Sequence, residues 1–240
     1  MKPIRKAGVA NTDDPVPGAQ LERDVSEMME VITNGGIAIF PLDLTYAIVG
    51  HRPDAIRRIF AAKARSFEKP CGMFGSWRLC RELHDVPAAK HDIVRILAEE
   101  ERLPFSVVAP LRPQHPLLRA VDPEVLGHSS KLGTMDMVIR GGYWLDEVAR
   151  QSVERNIAVF GSSANRSLNG SKYRLEDIEP EVRAVADVSF DYGLSKYATP
   201  LGLSSTIIDL GDFSVVRVGH RFDELVAALE RRFGITLRQP

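Results

Sequence analysis

Apolar residues recur along the chain with two different periods, and the alternation of these periods predicts an α/β fold. A helical period, with apolar residues three or four positions apart, occurs in the segments 21–33, 53–63, 88–102, 143–156 and 222–233. Short apolar runs of the kind found in buried strands occur at 37–40, 106–109, 136–140, 157–160, 206–210 and 214–218. Because these helices and strands alternate, we expect a twisted mixed sheet with flanking helices.

The amino-terminal segment is expected to differ from the rest of the chain. Met1 to Pro17 is polar and has two prolines late in it, so we predict an extended arm there. Residues 18–240 are predicted to form a single domain, because a chain of 240 residues is long enough for one sizeable core but short for two.

A group of cations is predicted where the second helix ends. The apolar stripe of this helix consists of Ile56, Ile59 and Phe60. Lys63 is the next residue on that stripe, and Arg65 follows in the same last turn. These cations either complement the negative end of the helix dipole or reach into a polar cleft that borders the core.

A loop of small polar residues is predicted much later in the chain. The apolar run 157–160 leads directly into Gly161-Ser162-Ser163-Ala164-Asn165-Arg166-Ser167. Backbone N–H groups and short polar side chains in such a loop can approach a phosphate or a carboxylate closely. An ordinary turn is the alternative, because Ser, Asn and Gly also favour turns for local reasons.

These two segments together resemble the YrdC/YciO family, whose members carry a Lys-x-Arg element and a later Ser-x-Asn element. The corresponding residues are Lys63-Ala64-Arg65 and Ser163-Ala164-Asn165. The resemblance extends in family order from about Gly35 to Gly219. Further segments that carry it are Leu42-Asp43-Leu44-Thr45-Tyr46, Pro104-Phe105-Ser106-Val107-Val108, Met137-Val138-Ile139-Arg140, Ser204-Ser205-Thr206-Ile207-Ile208-Asp209 and Val216-Arg217-Val218-Gly219.

The resemblance implies a single-domain YrdC-like fold and nucleotide chemistry. Family members condense L-threonine, bicarbonate and ATP into threonylcarbamoyl-AMP and pyrophosphate for modification of a tRNA adenosine. The implied requirements are ATP, Mg²⁺ and small-molecule substrates, with tRNA-modification proteins as possible downstream partners. The implied site residues are Lys63 and Arg65 on the phosphates, Ser163, Asn165, Arg140, Ser205 and Arg217 on the nucleotide, and Tyr46 and Ser106 on the second substrate.

One departure from the family pattern leaves the substrate open. The family usually has Thr-Asp-Thr where this chain has Leu42-Asp43-Leu44, so two hydroxyl groups are absent. A site that hydrogen-bonds a hydroxyl group selects strongly for it, and leucines would make the pocket more apolar. A related carbamoyl-adenylate-forming or carbamoyl-transfer enzyme acting on another amine is therefore an alternative, as is a non-catalytic nucleotide-binding or RNA-binding module.

The composition gives expectations about nucleic-acid binding, metal sites and cellular location. With 31 basic and 32 acidic residues, the net charge of -1 gives no sign of direct nucleic-acid binding. Cys71 and Cys80 do not have the spacing of a zinc or redox motif, and the six histidines are scattered, so no protein metal site is predicted. The sequence shows no apolar segment long enough to span a membrane and no hydrophobic signal core, and we expect a cytoplasmic protein without a further carboxy-terminal domain.

Overall fold

The computed structural model describes residues 3–6, 18–66 and 68–238, and ten strands within these residues form one mixed sheet. The strands are β1 (Ile4–Lys6), β2 (Ala38–Pro41), β3 (Tyr46–Gly50), β4 (Gly72–Phe74), β5 (Ser106–Pro110), β6 (Thr134–Val138), β7 (Phe160–Ser163), β8 (Val188–Asp191), β9 (Ile207–Asp209) and β10 (Val215–Arg217). Their order across the sheet is β1-β8-β2-β3-β7-β4-β6-β5-β9-β10. The predicted twisted mixed sheet with flanking helices is therefore confirmed.

Helices cover much of this sheet. Within the described residues they are α1 (Gly18–Thr33), α2 (Pro53–Ala62), α3 (Trp77–Leu83), α4 (Ala88–Arg95), α5 (Pro116–Arg119), α6 (Pro123–Ser129), α7 (Tyr143–Arg155), α8 (Pro180–Val185) and α9 (Phe222–Phe233), with a π-helical turn at Ile96–Glu100 after α4. The predicted helix at 88–102 thus changes its hydrogen-bonding pattern at Ile96, and the chain leaves it through Arg102 in a left-handed conformation, with φ of 54°.

The two faces of the sheet carry separate apolar clusters, because successive side chains of a strand point to opposite faces. The larger cluster includes α2, α4 and α9 and contains Ile48, Met73, Met137 and Ile208. The smaller cluster lies on the other face and contains Val49 and residues of α1 and α7. Helices α1 and α7 cover only one part of that second face.

The rest of the second face is the floor of a cleft. Strand register places Asp136 of β6 opposite Val108 of β5, and Val108 opposite Asp209 of β9, so these three side chains share one face. Phe74 of β4 and Val138 of β6 are also paired on this face. All five residues line the cleft.

Strand β7 corrects the prediction of a strand at 157–160 followed by a loop. The paired segment is Phe160–Ser163, which lies between β3 and β4 and pairs antiparallel with both. A Cβ atom added to Gly161 would lie 2.0 Å from the Ile48 carbonyl oxygen. The small residues that resembled a loop therefore belong to the sheet, where they allow close approach of the neighbouring backbone.

The predicted amino-terminal arm is described only in part. Strand β1 pairs in parallel with β8 as an edge strand of the sheet, and the remaining residues of that arm, 1–2 and 7–17, lie outside the described residues. In the part of the chain that the structure describes, no helix combines the length and apolar character needed to cross a membrane.

Candidate anion-binding site

A cleft of about 1000 Å³ lies over the open part of the sheet and brings together the two segments that the sequence singled out. Lys63 and Arg65 line it from the end of α2, and Ser163 and Asn165 line it from the end of β7. Arg217 of β10 adds a further cation to the lining. The cleft therefore combines positive charge with short polar side chains, as an anion site requires.

Helix α2 ends in a motif that places its two cations differently. Ala64 adopts a left-handed conformation, with φ of 48°. The N–H of Arg65 bonds to the Phe60 carbonyl at 2.9 Å, and the N–H of Ala64 bonds to the Ala61 carbonyl at 3.1 Å, which is the Schellman pattern. Glycine usually occupies the left-handed position, because a side chain there costs about 1 kcal/mol or more. The bend leaves Lys63 at the end of the helix and carries Arg65 beyond it.

Lys63 connects α2 to the end of β7 instead of pointing into open solvent. Its side chain is 1% exposed, and its Nζ donates hydrogen bonds to the carbonyl oxygens of Ser163 and Asn165. The Lys63 carbonyl in turn accepts a hydrogen bond of 2.9 Å from the N–H of Ser167. These three contacts fix the position of the Ser163–Ser167 segment relative to the helix.

Both arginines of the cleft are held by backbone carbonyls. Arg65 donates from Nε to the Lys69 carbonyl at 2.9 Å and from Nη2 to the Pro70 carbonyl at 2.7 Å. Arg217 donates from Nε and Nη2 to the Ser205 carbonyl at 3.0 and 2.9 Å. Burial lowers the pKa of both guanidinium groups from the usual value. Each arginine is therefore fixed in orientation, and its Nη1 group makes none of these four bonds.

Ser205 is positioned by Ser106 and Arg217. The Ser106 hydroxyl donates to Ser205 Oγ at 2.8 Å, and Arg217 Nη2 donates to the same oxygen at 2.8 Å. Because a hydroxyl has one donor and two acceptor positions, Ser205 can direct its own proton to a ligand. Ser205 lines the cleft, whereas Ser106, predicted to bind the second substrate, is fully buried and is not among the described residues that line the cleft.

Two further predicted site residues lie elsewhere. The Tyr46 side chain is buried in the core, where its hydroxyl donates to the Gly193 carbonyl at 2.8 Å. Arg140 follows the end of β6 and lies near Asp146 of α7, where its charge lowers the pKa of that carboxyl group against the larger raising effect of burial. Neither Tyr46 nor Arg140 is among the described residues that line the cleft. The predicted contacts of both with a ligand therefore do not fit this geometry.

Part of the cleft lining is apolar. Leu42, Leu44 and Phe74 line it and are almost fully buried. Thr45 carries the only side-chain hydroxyl of the segment 42–45, and this group donates to the Lys172 carbonyl at 3.0 Å. The hydroxyl is therefore already bound to the protein backbone, and this wall offers mainly hydrocarbon to a ligand.

Asp136 is a cleft residue that the sequence analysis did not identify. Its Oδ1 is buried and has no hydrogen-bond partner in the described residues. Burial raises its pKa to about 6, against the effects of Arg217, the Ser106 hydroxyl and Arg65, which lower it. An acidic residue within the apolar run Met135-Asp136-Met137-Val138-Ile139 was the signal that could have marked it.

We expect the free energy of unfolding to rise with pH above about 7 because of Lys63. Burial, and to a smaller extent Arg65, lowers the pKa of Lys63 from 10.5 to about 7 in the folded protein. Between these values the unfolded chain binds a proton that the folded protein does not, so stability increases with pH by up to about 1.4 kcal/mol per unit. Denaturant unfolding between about pH 7 and pH 9 measures this slope. A Lys63→Met variant should lack this contribution, and equal slopes for both proteins would contradict the assignment.

The comparisons with known proteins agree on the fold. The family model for Sua5, YciO and YrdC proteins, described as "Telomere recombination", matches residues 30–219. The hypothetical protein smu.1377c from Streptococcus mutans UA159 is 18% identical, with a TM-score of 0.73 over 100% of this chain and 98% of that one. E. coli YciO is 14% identical, with a TM-score of 0.62 over 92% of this chain and 97% of that one.

A longer protein has the same fold over part of its length. Sua5 of P. abyssi, in complex with L-threonine, is 18% identical, with a TM-score of 0.70 over 99% of this chain. The chain spans 62% of the length of that protein. A comparison with curated proteins finds no match.

Proposed function

Because the chain belongs to the Sua5/YciO/YrdC family, whose model matches residues 30–219, we propose that it uses ATP to convert a carbamate into a carbamoyl adenylate, with release of pyrophosphate. By the family resemblance, the amine that supplies the carbamate is L-threonine and the product serves tRNA modification. The observation that carries the proposal is the convergence of Lys63, Arg65, Arg217 and Ser163 around one cleft.

The cleft residues suit the charge changes of this reaction. A carbamate oxygen would attack the α-phosphorus of ATP, forming an O–P bond as the bond to the departing pyrophosphate breaks. Negative charge shifts onto phosphate oxygens, so positioning and electrostatic stabilisation dominate catalysis of this kind. Arg65 and Arg217 would bind those oxygens with guanidinium groups whose orientation is already fixed, and the Ser205 hydroxyl would donate a further hydrogen bond.

Lys63 would have a positioning role in addition to the phosphate contact that the sequence suggested. Its Nζ already donates to two carbonyl oxygens of the Ser163–Asn165 segment. We propose that it positions Ser163 and Asn165 against the nucleotide and adds positive charge from beneath the cleft. As an ammonium group Lys63 has three N–H donors, so one remains for a phosphate oxygen while the other two bond these carbonyls.

Magnesium would accompany the nucleotide. Among the described residues there is no group of three or more His, Cys, Asp or Glu side chains that could hold a metal ion. Mg²⁺ keeps several water ligands and commonly binds through substrate phosphates. In this proposal the ion would therefore be held mainly by phosphate oxygens and water, and it would neutralise part of the charge of ATP.

The apolar part of the cleft lining favours a second candidate function, in which the same reaction acts on another amine. Leu42, Leu44 and Phe74 form that wall, and the Thr45 hydroxyl is bound to the Lys172 carbonyl. A threonine hydroxyl placed there would find only the Thr45 oxygen as an acceptor among these four side chains. Each hydrogen bond to water that it loses without replacement costs about 1–3 kcal/mol. An amino acid with an aliphatic side chain avoids that cost.

Pyrophosphate release tests these proposals directly. The protein is incubated with ATP, Mg²⁺ and bicarbonate, together with threonine, serine, valine or leucine in separate reactions. Pyrophosphate is quantified, and the AMP adduct is identified by mass spectrometry. We expect an amino-acid-dependent adduct that disappears when bicarbonate is omitted.

The pattern of products separates the alternatives. An adduct with threonine alone supports the family reaction, and a preference for valine or leucine supports the second candidate. Nucleotide binding without pyrophosphate release under any condition would contradict catalysis and leave the non-catalytic binding module.

A further inference from the structure

Asp136 lies in the middle of the cleft floor, directly against the backbone of β4. A Cβ atom added to Gly72 of β4 would lie 2.9 Å from Asp136 Oδ2. The carboxylate therefore occupies the space above a residue without a side chain. From this position it faces the same cleft as Arg65 and Arg217.

No described side chain forms a direct ion pair with this carboxylate. The ion pairs of the described residues do not include Asp136, and its Oδ1 is buried without a hydrogen-bond partner. Both nearby arginines donate to backbone carbonyls instead, Arg65 to Lys69 and Pro70, and Arg217 to Ser205. The hydrogen-bonding neighbour of the carboxylate is the uncharged Ser106 hydroxyl, which lowers its pKa. The cleft thus contains a negative charge that its cations attract without bonding.

Such an arrangement opposes the binding of strongly charged anions. A phosphate group placed on Arg65 and Arg217 would also approach the Asp136 carboxylate, and like charges at a distance of a few ångströms in a partly buried site repel strongly. The other acidic side chains of the lining, Glu68 and Asp209, differ from it. Glu68 is exposed, and Asp209 Oδ1 accepts a hydrogen bond of 2.6 Å from the N–H of Gly211.

We infer that Asp136 is a specificity-determining residue of the cleft, which admits doubly charged anionic groups only when its carboxylate takes up a proton. The inference deepens the proposed function and rests on the anion site that it assumes. Singly charged groups, such as a carboxylate or a phosphodiester, bind with less dependence on this proton.

The direction of the pH dependence follows from the position of the carboxylate. Burial raises the pKa of Asp136 to about 6 in the free protein, and a bound anion raises it further. Below about pH 6 the group is neutral and anions bind without repulsion. Above that value the affinity for a doubly charged anion falls, by up to about ten-fold per pH unit for one coupled proton. Lys69 and Lys131 also line the cleft and add positive charge that limits this effect. Lys63 loses its proton near pH 7 and so adds to the fall above that value.

Sulfate and methyl sulfate are suitable probes, because their charges stay fixed at two and one across this pH range. Isothermal titration calorimetry between about pH 5 and pH 9 measures their affinities for the full chain. We expect sulfate affinity to fall with pH for the wild type, and methyl sulfate affinity to change much less. For Asp136→Asn we expect the fall that begins near pH 6 to be absent, with only the smaller loss from deprotonation of Lys63 near pH 7 remaining. Its sulfate affinity should be higher than that of the wild type at the basic end.

A Glu68→Gln variant is the matched control, since it removes one negative charge from the exposed rim of the same cleft. It should keep the wild-type slope. Calorimetry of the wild type in buffers of different ionisation enthalpy measures proton uptake without any substitution. We expect up to one proton per sulfate from Asp136 between pH 6 and pH 7, with a further contribution from Lys63 at higher pH.

Three results would overturn the inference. These are pH-independent sulfate binding by the wild type, equal slopes for wild type and Asp136→Asn, and no sulfate binding by either protein. The pyrophosphate-release assay decides the proposed function separately. An active enzyme whose anion affinity does not respond to Asp136 would remove the inference and leave the function.

Discussion

Replacing Arg65 with alanine is expected to lower ATP-dependent pyrophosphate release by about two orders of magnitude or more, the usual effect of removing one preorganised charged donor. Arg65 lies beyond the end of α2, and two backbone carbonyls fix its guanidinium group against the cleft. The loss should appear in kcat as well as in the affinity for ATP, because charge on the phosphates increases during the reaction. Steady-state kinetics and ATP titration measure both.

Lys69→Ala is the matched control for Arg65→Ala. Lys69 also lines the cleft, but its side chain is exposed, and only its backbone carbonyl contacts Arg65. We expect less than a three-fold change in turnover, in keeping with the small effects of exposed charges. An Arg65→Lys variant should recover part of the ATP affinity, since it keeps the charge and loses the planar fork. Equal turnover for Arg65→Ala and the wild type would remove Arg65 from the proposed site.

Replacing Lys63 with methionine is expected to lower the free energy of unfolding by roughly 2 kcal/mol, with loss of ATP binding. Methionine keeps the length of the side chain but cannot donate to the carbonyl oxygens of Ser163 and Asn165, which Lys63 now bonds. Relief from burying an ammonium group offsets part of the cost. Denaturant unfolding measures the stability change. ATP titration measures how far nucleotide affinity falls when Lys63 no longer holds the Ser163–Ser167 segment.

Lys90→Met provides a comparison with the same chemistry outside the cleft. Lys90 Nζ also donates to two backbone carbonyls, those of Leu210 and Gly211. Its side chain is only half-buried, so water can replace the lost bonds and the stability loss should be smaller. ATP binding should be unaffected. If Lys63→Met bound ATP as tightly as Lys90→Met, Lys63 would not position the site as proposed.

The sequence predicted the pairing of the two main site segments better than it predicted their local structure. Lys63 and the segment after β7 meet as expected, because family order and helical spacing both placed them at the edge of a core. Small polar residues at 161–163, however, indicated a loop, whereas the structure includes them in β7. Glycine occurs both in flexible loops and in strands that pack closely, and the sequence alone does not distinguish these two roles. Only the presence of a neighbouring strand does so.

Other features depend on tertiary contacts that spacing does not reveal. Strand β3 was not predicted from the sequence, and in the structure Tyr46 to Gly50 pairs with β2 and β7. Tyr46 was predicted to contact substrate, yet strand geometry directs its side chain into the core. Asp136 was part of a predicted strand, but its role depends on which face of that strand the cleft occupies.

The contact between Lys63 and Ser163 joins residues that are 100 positions apart in the chain. Neither half of the polypeptide could hold the ligand alone, so occupancy of the cleft and cooperative folding are thermodynamically coupled. Saturation at one hundred times the dissociation constant would add about 2.7 kcal/mol to the stability of the domain. A rise in melting temperature on adding nucleotide would therefore report the intact tertiary structure, and fragments divided between α7 and β7 should show none until they reassociate.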